Sequence, residues 1–284
     1  MIIQKFFFLS IFVLSIMQII YALPLAEQLK IAGYLEICTN KNVGTIFDSL
    51  YASYDKFIEF LTINPSWAQK LYRAKERFIR SKVRNYYSTD FFGFYDESQR
   101  KGRNQISFYY STHFHDFLCF HYPEFKSVPE IIHFLEICFE IQKPCGNLFQ
   151  KAAAELGLEN IFSCAYGQPP ILLKVVKYFS SYNATKPHYD GTAFSLFLHS
   201  TDNQSLLFSP YKSLFSVDDF SSPFRSQDSI LLIPGVHLIE FSIFPTPHIV
   251  LSAGKTRYAT IAFAMRPDYV PQKYELPSLP HFNY

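Results

Sequence analysis

Apolar and polar positions change their period near residue 165. Before it, helical spacing dominates. Val43–Leu61 sets Val43, Ile46, Phe47, Leu50, Tyr54, Phe57, Ile58 and Leu61 three or four apart, which predicts an amphipathic helix. Ala26–Tyr34 predicts a shorter helix followed by a short strand at Leu35–Cys38, and Trp67–Phe78 a helix with Lys and Arg on its outer face. Val128–Leu156 predicts a long helix, entered from Ser127 as N-cap with Glu130 three residues on and stopped by Gly157. Asp90–His115 is aromatic, interrupted by Gly93 and Gly102, and predicts no regular element. After residue 165 the runs become short and β-like: Ile171–Phe179, Thr192–His199, Ser205–Phe208, Ser229–Ile233, His237–Phe241, His248–Ser252 and Tyr258–Met265. Pro and Gly punctuate them, and strands at this spacing predict a sandwich or barrel, with which a jelly roll agrees.

The expected division is a leading segment over 1–22, a helical region over 23–165, a β-barrel core over 166–270 and a Pro-rich surface tail over 271–284. No linker-like stretch separates the helical and β halves, so they are read as one integrated domain and the chain as a monomer. The leading segment has a short basic start, Met1–Lys5, then a nearly continuous apolar run, Phe6–Ile20. That is the form of a signal peptide ending near Ala22, or of an uncleaved anchor, the one contact with a membrane that the sequence offers.

A net charge of +2 gives no nucleic-acid footprint. The 31 Phe and 20 Tyr reflect either a compositional bias or an aromatic-lined pocket. Five cysteines, Cys38, Cys119, Cys138, Cys145 and Cys164, are odd in number and widely spaced, which argues against a disulfide framework; Cys38, Cys119 and Cys138 lie in apolar runs and read as buried thiols. Asn183-Ala-Thr185 and Asn203-Gln-Ser205 have the form of glycosylation sequons and are read as chance.

The candidate chemistry lies in His188-Tyr189-Asp190, just before the run Thr192–His199. Residues two apart on extended chain point to one side, so one imidazole and one carboxylate can aim at a common point. His248, at the start of a later strand, supplies a second imidazole. Two His and one carboxylate form the facial triad of non-haem Fe(II) oxygenases and leave positions open for a co-substrate and O2. A bare H-x-D is cheap, as His113-Phe-His115-Asp116 illustrates; its place before a strand and the late His248 give it weight. Arg257, nine residues after His248 and among apolar neighbours, can grip a carboxylate through paired hydrogen bonds, which the far end of 2-oxoglutarate requires.

With these residues the chain resembles the isopenicillin-N-synthase-like iron(II)/2-oxoglutarate dioxygenases. Ala32-Gly33-Tyr34-Leu35-Glu36-Ile37 is similar to that family's early strand, Glu130–Leu158 to its long helix, and Asp228–Gly235 to the strand and turn between its metal motifs. His188-x-Asp190 and His248-Ile-Val250 are similar to its ligand motifs, and Lys177-Tyr178-Phe179 to the strand before the metal loop. The resemblance implies an α+β, mainly β protein whose core is a distorted double-stranded β-helix (jelly roll) with flanking N-terminal helices. It implies Fe(II) on His188, Asp190 and His248, 2-oxoglutarate held by Arg257 and Tyr178, ascorbate as reductant, and oxidation of a small molecule. The family's R-x-S motif reads Arg257-Tyr258-Ala259 here, with Thr260 adjacent. That departure keeps open a 2-oxoglutarate-independent iron oxidase and a catalytically lapsed binding protein. The chemistry suits a reducing compartment, whereas the leading segment suits export.

Overall fold

A computed structural model describes residues 24–38, 43–99, 104–163, 169–180, 185–223, 229–267 and 269–282. The signal-like segment, Asn183 and Cys164 lie outside the described residues. The helices are α1 (Leu25–Ala32), α2 (Val43–Ile63), α3 (Pro65–Ile79), α4 (Arg84–Tyr87), α5 (Thr112–His121) and α6 (Pro129–Glu155). The strands are β1 (Leu35–Cys38), β2 (Gly93–Asp96), β3 (Gln105–Tyr110), β4 (Ile171–Tyr178), β5 (Phe194–Ser200), β6 (Leu206–Phe208), β7 (Ser229–Pro234), β8 (His248–Val250) and β9 (Arg257–Ala264).

Seven strands form one antiparallel sheet in the order β1-β7-β5-β9-β4-β3-β2. A second layer pairs β6 with β8 and is extended by single bridges, Phe208 to Ser221 on one side and His248 to His188 on the other. Helices α2 and α6 cover one face of the large sheet. There Phe57 stacks on Phe134 at 4.8 Å and meets Phe108 of β3 edge-on at 5.5 Å, all three fully buried. Much of the aromatic surplus is therefore packed core between helix and sheet, where each ring removes a large apolar area from water.

The layer of β6 and β8 packs on the opposite, inner face. Phe208 joins Leu231 and Ile233 of β7, and Val250 packs against Val176, Ala259 and Ile261. Inner and outer residues alternate along each strand, as pleating requires. The outer face of β6–β8 is closed by the C-terminal tail: Leu279 and Phe282 pack on Phe215, Phe220 and Ile249.

Three sequence expectations are corrected. Asp90–His115 is not irregular; it holds β2, β3 and the start of α5, so strands from before residue 166, β1 among them, complete the large sheet. Strand β3 is buried at five of its six positions, which erases the apolar–polar alternation that marks a half-exposed strand, and β2 is only four residues long. His237–Phe241 is no strand but part of a 3-10 turn over Val236–Phe241, because Pro234-Gly235 ends β7 and the Leu238 amide bonds back to the Gly235 carbonyl at 3.2 Å. Ser127 does not cap α6: Pro129 occupies the first turn, the cap falls on Val128, and no side chain bonds there.

Gly157 does end that helix. At φ 71° it turns left-handed, and the Leu158 amide reaches the Ala153 carbonyl at 2.8 Å. Cys138 and Cys145 are buried free thiols, with burial pushing Cys145 up to about 12; Cys119 is a free thiol but only half-buried.

Candidate metal centre and co-substrate site

The three candidate ligands arrive from two chain segments locked to each other by backbone. The His188 amide donates to the His248 carbonyl at 3.0 Å, and the His248 amide donates to the His188 carbonyl at 3.0 Å. This reciprocal pair puts the two rings side by side, with centroids 4.3 Å apart. One ligand atom from each of His188, Asp190 and His248 lies within 4.8 Å of the others. Asp190 Oδ1 is 3.8 Å from His188 Nε2 and 3.6 Å from His248 Nε2. A cation bound at about 2 Å by each of three atoms fits between groups at this spacing.

The partners of the remaining atoms set which lone pairs face inward. His188 Nδ1 lies 3.0 Å from the Lys186 carbonyl, and His248 Nδ1 lies 3.2 Å from the Thr246 carbonyl. A carbonyl only accepts, so each Nδ1 carries the proton and each Nε2 is left as a lone pair toward Asp190. Thr246 is itself fastened by a hydroxyl bond to the Gly33 carbonyl. Gly33 turns left-handed at φ 78°, and a side chain there would crowd Pro210 and Thr246, which accounts for the glycine between α1 and β1. Asp190 Oδ2 accepts from Ser195 Oγ at 2.6 Å, which orients Oδ1 toward the imidazoles, and Ser195 Oγ contacts Thr192 Oγ1 at 3.1 Å.

Electrostatics favour the deprotonated forms of Asp190 and His248. Burial raises Asp190, but His248, His188 and the Ser195 hydroxyl outweigh it and hold the carboxyl below its usual range. Burial lowers His248 to about 4 despite the pull of Asp190, so the ring is neutral near pH 7. His188 is the exposed member, its side chain 43% accessible, so the centre opens on that side.

Ser195→Ala is expected to weaken Fe(II) binding about 10- to 100-fold, because an outer partner that orients a ligand has that weight. Anaerobic metal titration checks it; unchanged affinity would show that Asp190 needs no such support. A second expectation concerns pH. His237 is buried beside Tyr269, and burial followed by the Arg266 charge lowers it to about 3. A base lowered in the fold binds fewer protons there than in the unfolded chain, so stability is full above about 6.5 and drains below it. In the metal-free protein His248 adds to the same window. The melting temperature should therefore fall steadily from pH 7 to pH 4, and a flat profile contradicts these burials.

Arg257 opens β9 and is 3% exposed. It stands opposite Tyr178 in the β4–β9 register, its guanidinium 4.1 Å from the Tyr178 ring centroid, and Nη2 donates to the Leu251 carbonyl at 3.1 Å. Ala259, two residues on, belongs to the same inner-face cluster as Tyr178. Thr260 points the other way, donating to Tyr51 of α2 at 3.2 Å, and therefore cannot replace the absent serine. The second H-x-D-like stretch forms no such centre: His113 pairs with Tyr87 at 2.7 Å and His115 with Tyr110 at 2.9 Å. Sequence reasoning did not find Ser195, Thr246 or Lys186, whose contributions depend on where their oxygen atoms lie and carry no motif.

No protein-family model matches the chain, and no curated protein sequence matches it. Solved structures do. The dioxygenase for auxin oxidation 1 of Arabidopsis thaliana, determined with 2-oxoglutarate, aligns over 89% of this chain and 89% of its own at TM-score 0.53 and 16% identity. The rice dioxygenase for auxin oxidation aligns over 86% and 76% at TM-score 0.54 and 12% identity. JOX2, determined with 2OG, Fe and JA, aligns over 90% and 72% at TM-score 0.54 and 16% identity. At these identities the likeness is one of architecture, and the chain has the fold of the 2-oxoglutarate/Fe(II) oxygenases.

Proposed function

We propose that the chain is an Fe(II)- and 2-oxoglutarate-dependent dioxygenase that oxidises a small molecule, built on a distorted double-stranded β-helix. The observation that carries this reading is the convergence of two Nε2 lone pairs and one carboxylate oxygen on a common point between the sheets. Neutral nitrogen and anionic oxygen donors on one side of a cation suit Fe(II) and leave adjacent positions for a bidentate keto acid and O2. When bound, the iron supplies oxidation of a substrate C–H bond by O2 as 2-oxoglutarate loses CO2 to become succinate.

The chain's own residues bind and orient. His188, Asp190 and His248 would hold the metal, with Ser195 keeping the second carboxylate oxygen engaged. Arg257 and Tyr178 would hold the distal carboxylate of the co-substrate. The guanidinium is already restrained by the Tyr178 ring below it and the Leu251 carbonyl beside it, so little freedom is lost on binding. Val176, Ala259 and Ile261 form one buried apolar cluster with Tyr178, so the pair stands beside a dry face of the sheet. With Ala259 in place of serine, the carboxylate grip falls to Arg257 and Tyr178 alone.

The test is anaerobic addition of Fe(II) and 2-oxoglutarate to the metal-free protein. A weak metal-to-ligand band in the visible is expected, followed by succinate on admitting O2 with ascorbate and substrate. Iron bound without such a band would favour the 2-oxoglutarate-independent oxidase. Absence of iron binding would leave a barrel that has lost the chemistry.

A further inference from the structure

The C-terminal tail touches both segments that carry the metal ligands. Residues 269–282 form no helix or strand, and among the described residues no backbone–backbone hydrogen bond ties 270–282 to the barrel. Side chains make the contacts instead. Leu279 and Phe282 pack with Ile249, Phe215 and Phe220, and the Phe282 ring meets Phe220 edge-on at 5.5 Å. Two residues before Leu279, the Pro277 carbonyl accepts from the Tyr189 hydroxyl at 3.2 Å. Tyr211 joins the two contact points, its ring 6.5 Å from Tyr189 and 6.4 Å from Phe215.

These contacts lie directly behind the ligands. Tyr189 stands between His188 and Asp190, whose ligand atoms converge with that of His248, so extended chain sends Tyr189 the other way. On β8, His248 and Val250 face the large sheet, the His248 ring 5.6 Å from Phe197 of β5 and Val250 beside Val176 and Ile261. Ile249 points outward between them and is fully buried in the cluster that holds Leu279 and Phe282. Backbone pairing between the two segments runs from Thr185 with Val250 to His188 with His248. Among the described residues Tyr189 takes no part in it, and its side chain carries the tie to the tail.

We propose that the C-terminal tail is a strap that positions the metal ligands from behind, with Tyr189 as the positioning residue between strap and metal loop. The inference rests on the reading of His188, Asp190 and His248 as the metal centre. Clamping the His188–Asp190 segment and β8 against one tail holds the three ligand atoms together before the cation arrives. Less freedom is then lost on binding, and the metal is held more tightly than by the backbone pairing alone.

Anaerobic Fe(II) titration of the full chain tests it, together with the visible spectrum of the Co(II)-loaded protein and the melting temperature of the metal-free protein. Tyr189→Phe keeps the ring and removes only the bond to Pro277. Leu279→Ala combined with Phe282→Ala loosens the apolar hold, while Phe282→Leu by itself keeps it. Tyr189→Phe and the double variant are each expected to weaken Fe(II) by about 10-fold, the lower end for groups that orient a metal ligand. Both should also alter the Co(II) bands, and Phe282→Leu should behave as the unsubstituted chain. A tail that merely shields apolar surface would lower the metal-free melting temperature and leave affinity and spectrum as they were. Unchanged Fe(II) affinity in either Tyr189→Phe or a folded double variant overturns the proposal while the metal centre stands. Failure of the unsubstituted chain to bind Fe(II) or Co(II) would remove the metal centre itself, and the strap with it.

Discussion

Asp190→Ala is expected to abolish turnover and to weaken Fe(II) binding by well over about 100-fold, since outer partners of a metal ligand alone account for 10- to 100-fold. Three consequences combine. The one carboxylate oxygen between the two Nε2 atoms among the described residues is lost, Ser195 loses its acceptor, and the two imidazoles face each other without that negative charge. The same substitution relieves the upward pull of Asp190 on His248, so that ring stays neutral near pH 7 and its titration costs the fold nothing there. Anaerobic iron titration with circular dichroism on the same sample separates lost metal from lost structure. Retained stoichiometric iron in a folded Asp190→Ala variant would mean that the three groups are not the metal centre.

The second large effect is expected at Arg257. Arg257→Met keeps most of the side-chain volume over Tyr178 but removes the buried guanidinium proposed to grip a carboxylate. A hydrogen bond to a charged group contributes about 1.5–3 kcal/mol, so the affinity for 2-oxoglutarate should fall by roughly 10- to 150-fold. Because Ala259 offers no hydroxyl and Thr260 bonds Tyr51, no neighbour on β9 compensates. The loss should therefore appear in the 2-oxoglutarate dependence of the visible band while Fe(II) binding persists. The reverse variant, Ala259→Ser, should tighten co-substrate binding because its hydroxyl would join the inner-face cluster. Unchanged 2-oxoglutarate affinity in Arg257→Met would transfer the co-substrate's distal contact to another group.

Much of the scaffold was legible from periodicity. Helix α2 declared itself through apolar residues three and four apart, and Phe47, Leu50, Tyr54, Phe57 and Leu61 are all buried. The stop at Gly157 was legible because only a left-handed residue allows the amide of Leu158 to reach back to Ala153. The pair His188 and Asp190 was legible because extended chain sends alternate side chains one way.

The elements that escaped share a cause: their conformation depends on neighbours remote in sequence. Strand β3 is buried at nearly every position, so it shows no apolar–polar alternation, and β2 is a four-residue edge strand too short to show one. The turn over Val236–Phe241 has the composition of a strand, but the chain leaves the sheet at Gly235, whose amide bonds the Ala193 carbonyl. The cap expected of Ser127 is displaced by the proline two residues later.

The sequence by itself determined the candidate ligand types, the helical and β textures, and the missing hydroxyl at Ala259, because these are properties of residue identity and short-range spacing. Only the tertiary structure decided that His248 pairs backbone to backbone with His188 and that Thr260 turns away toward Tyr51. Each of those is a matter of register between strands dozens of residues apart, and register is set by how whole faces pack rather than by any local run of residues.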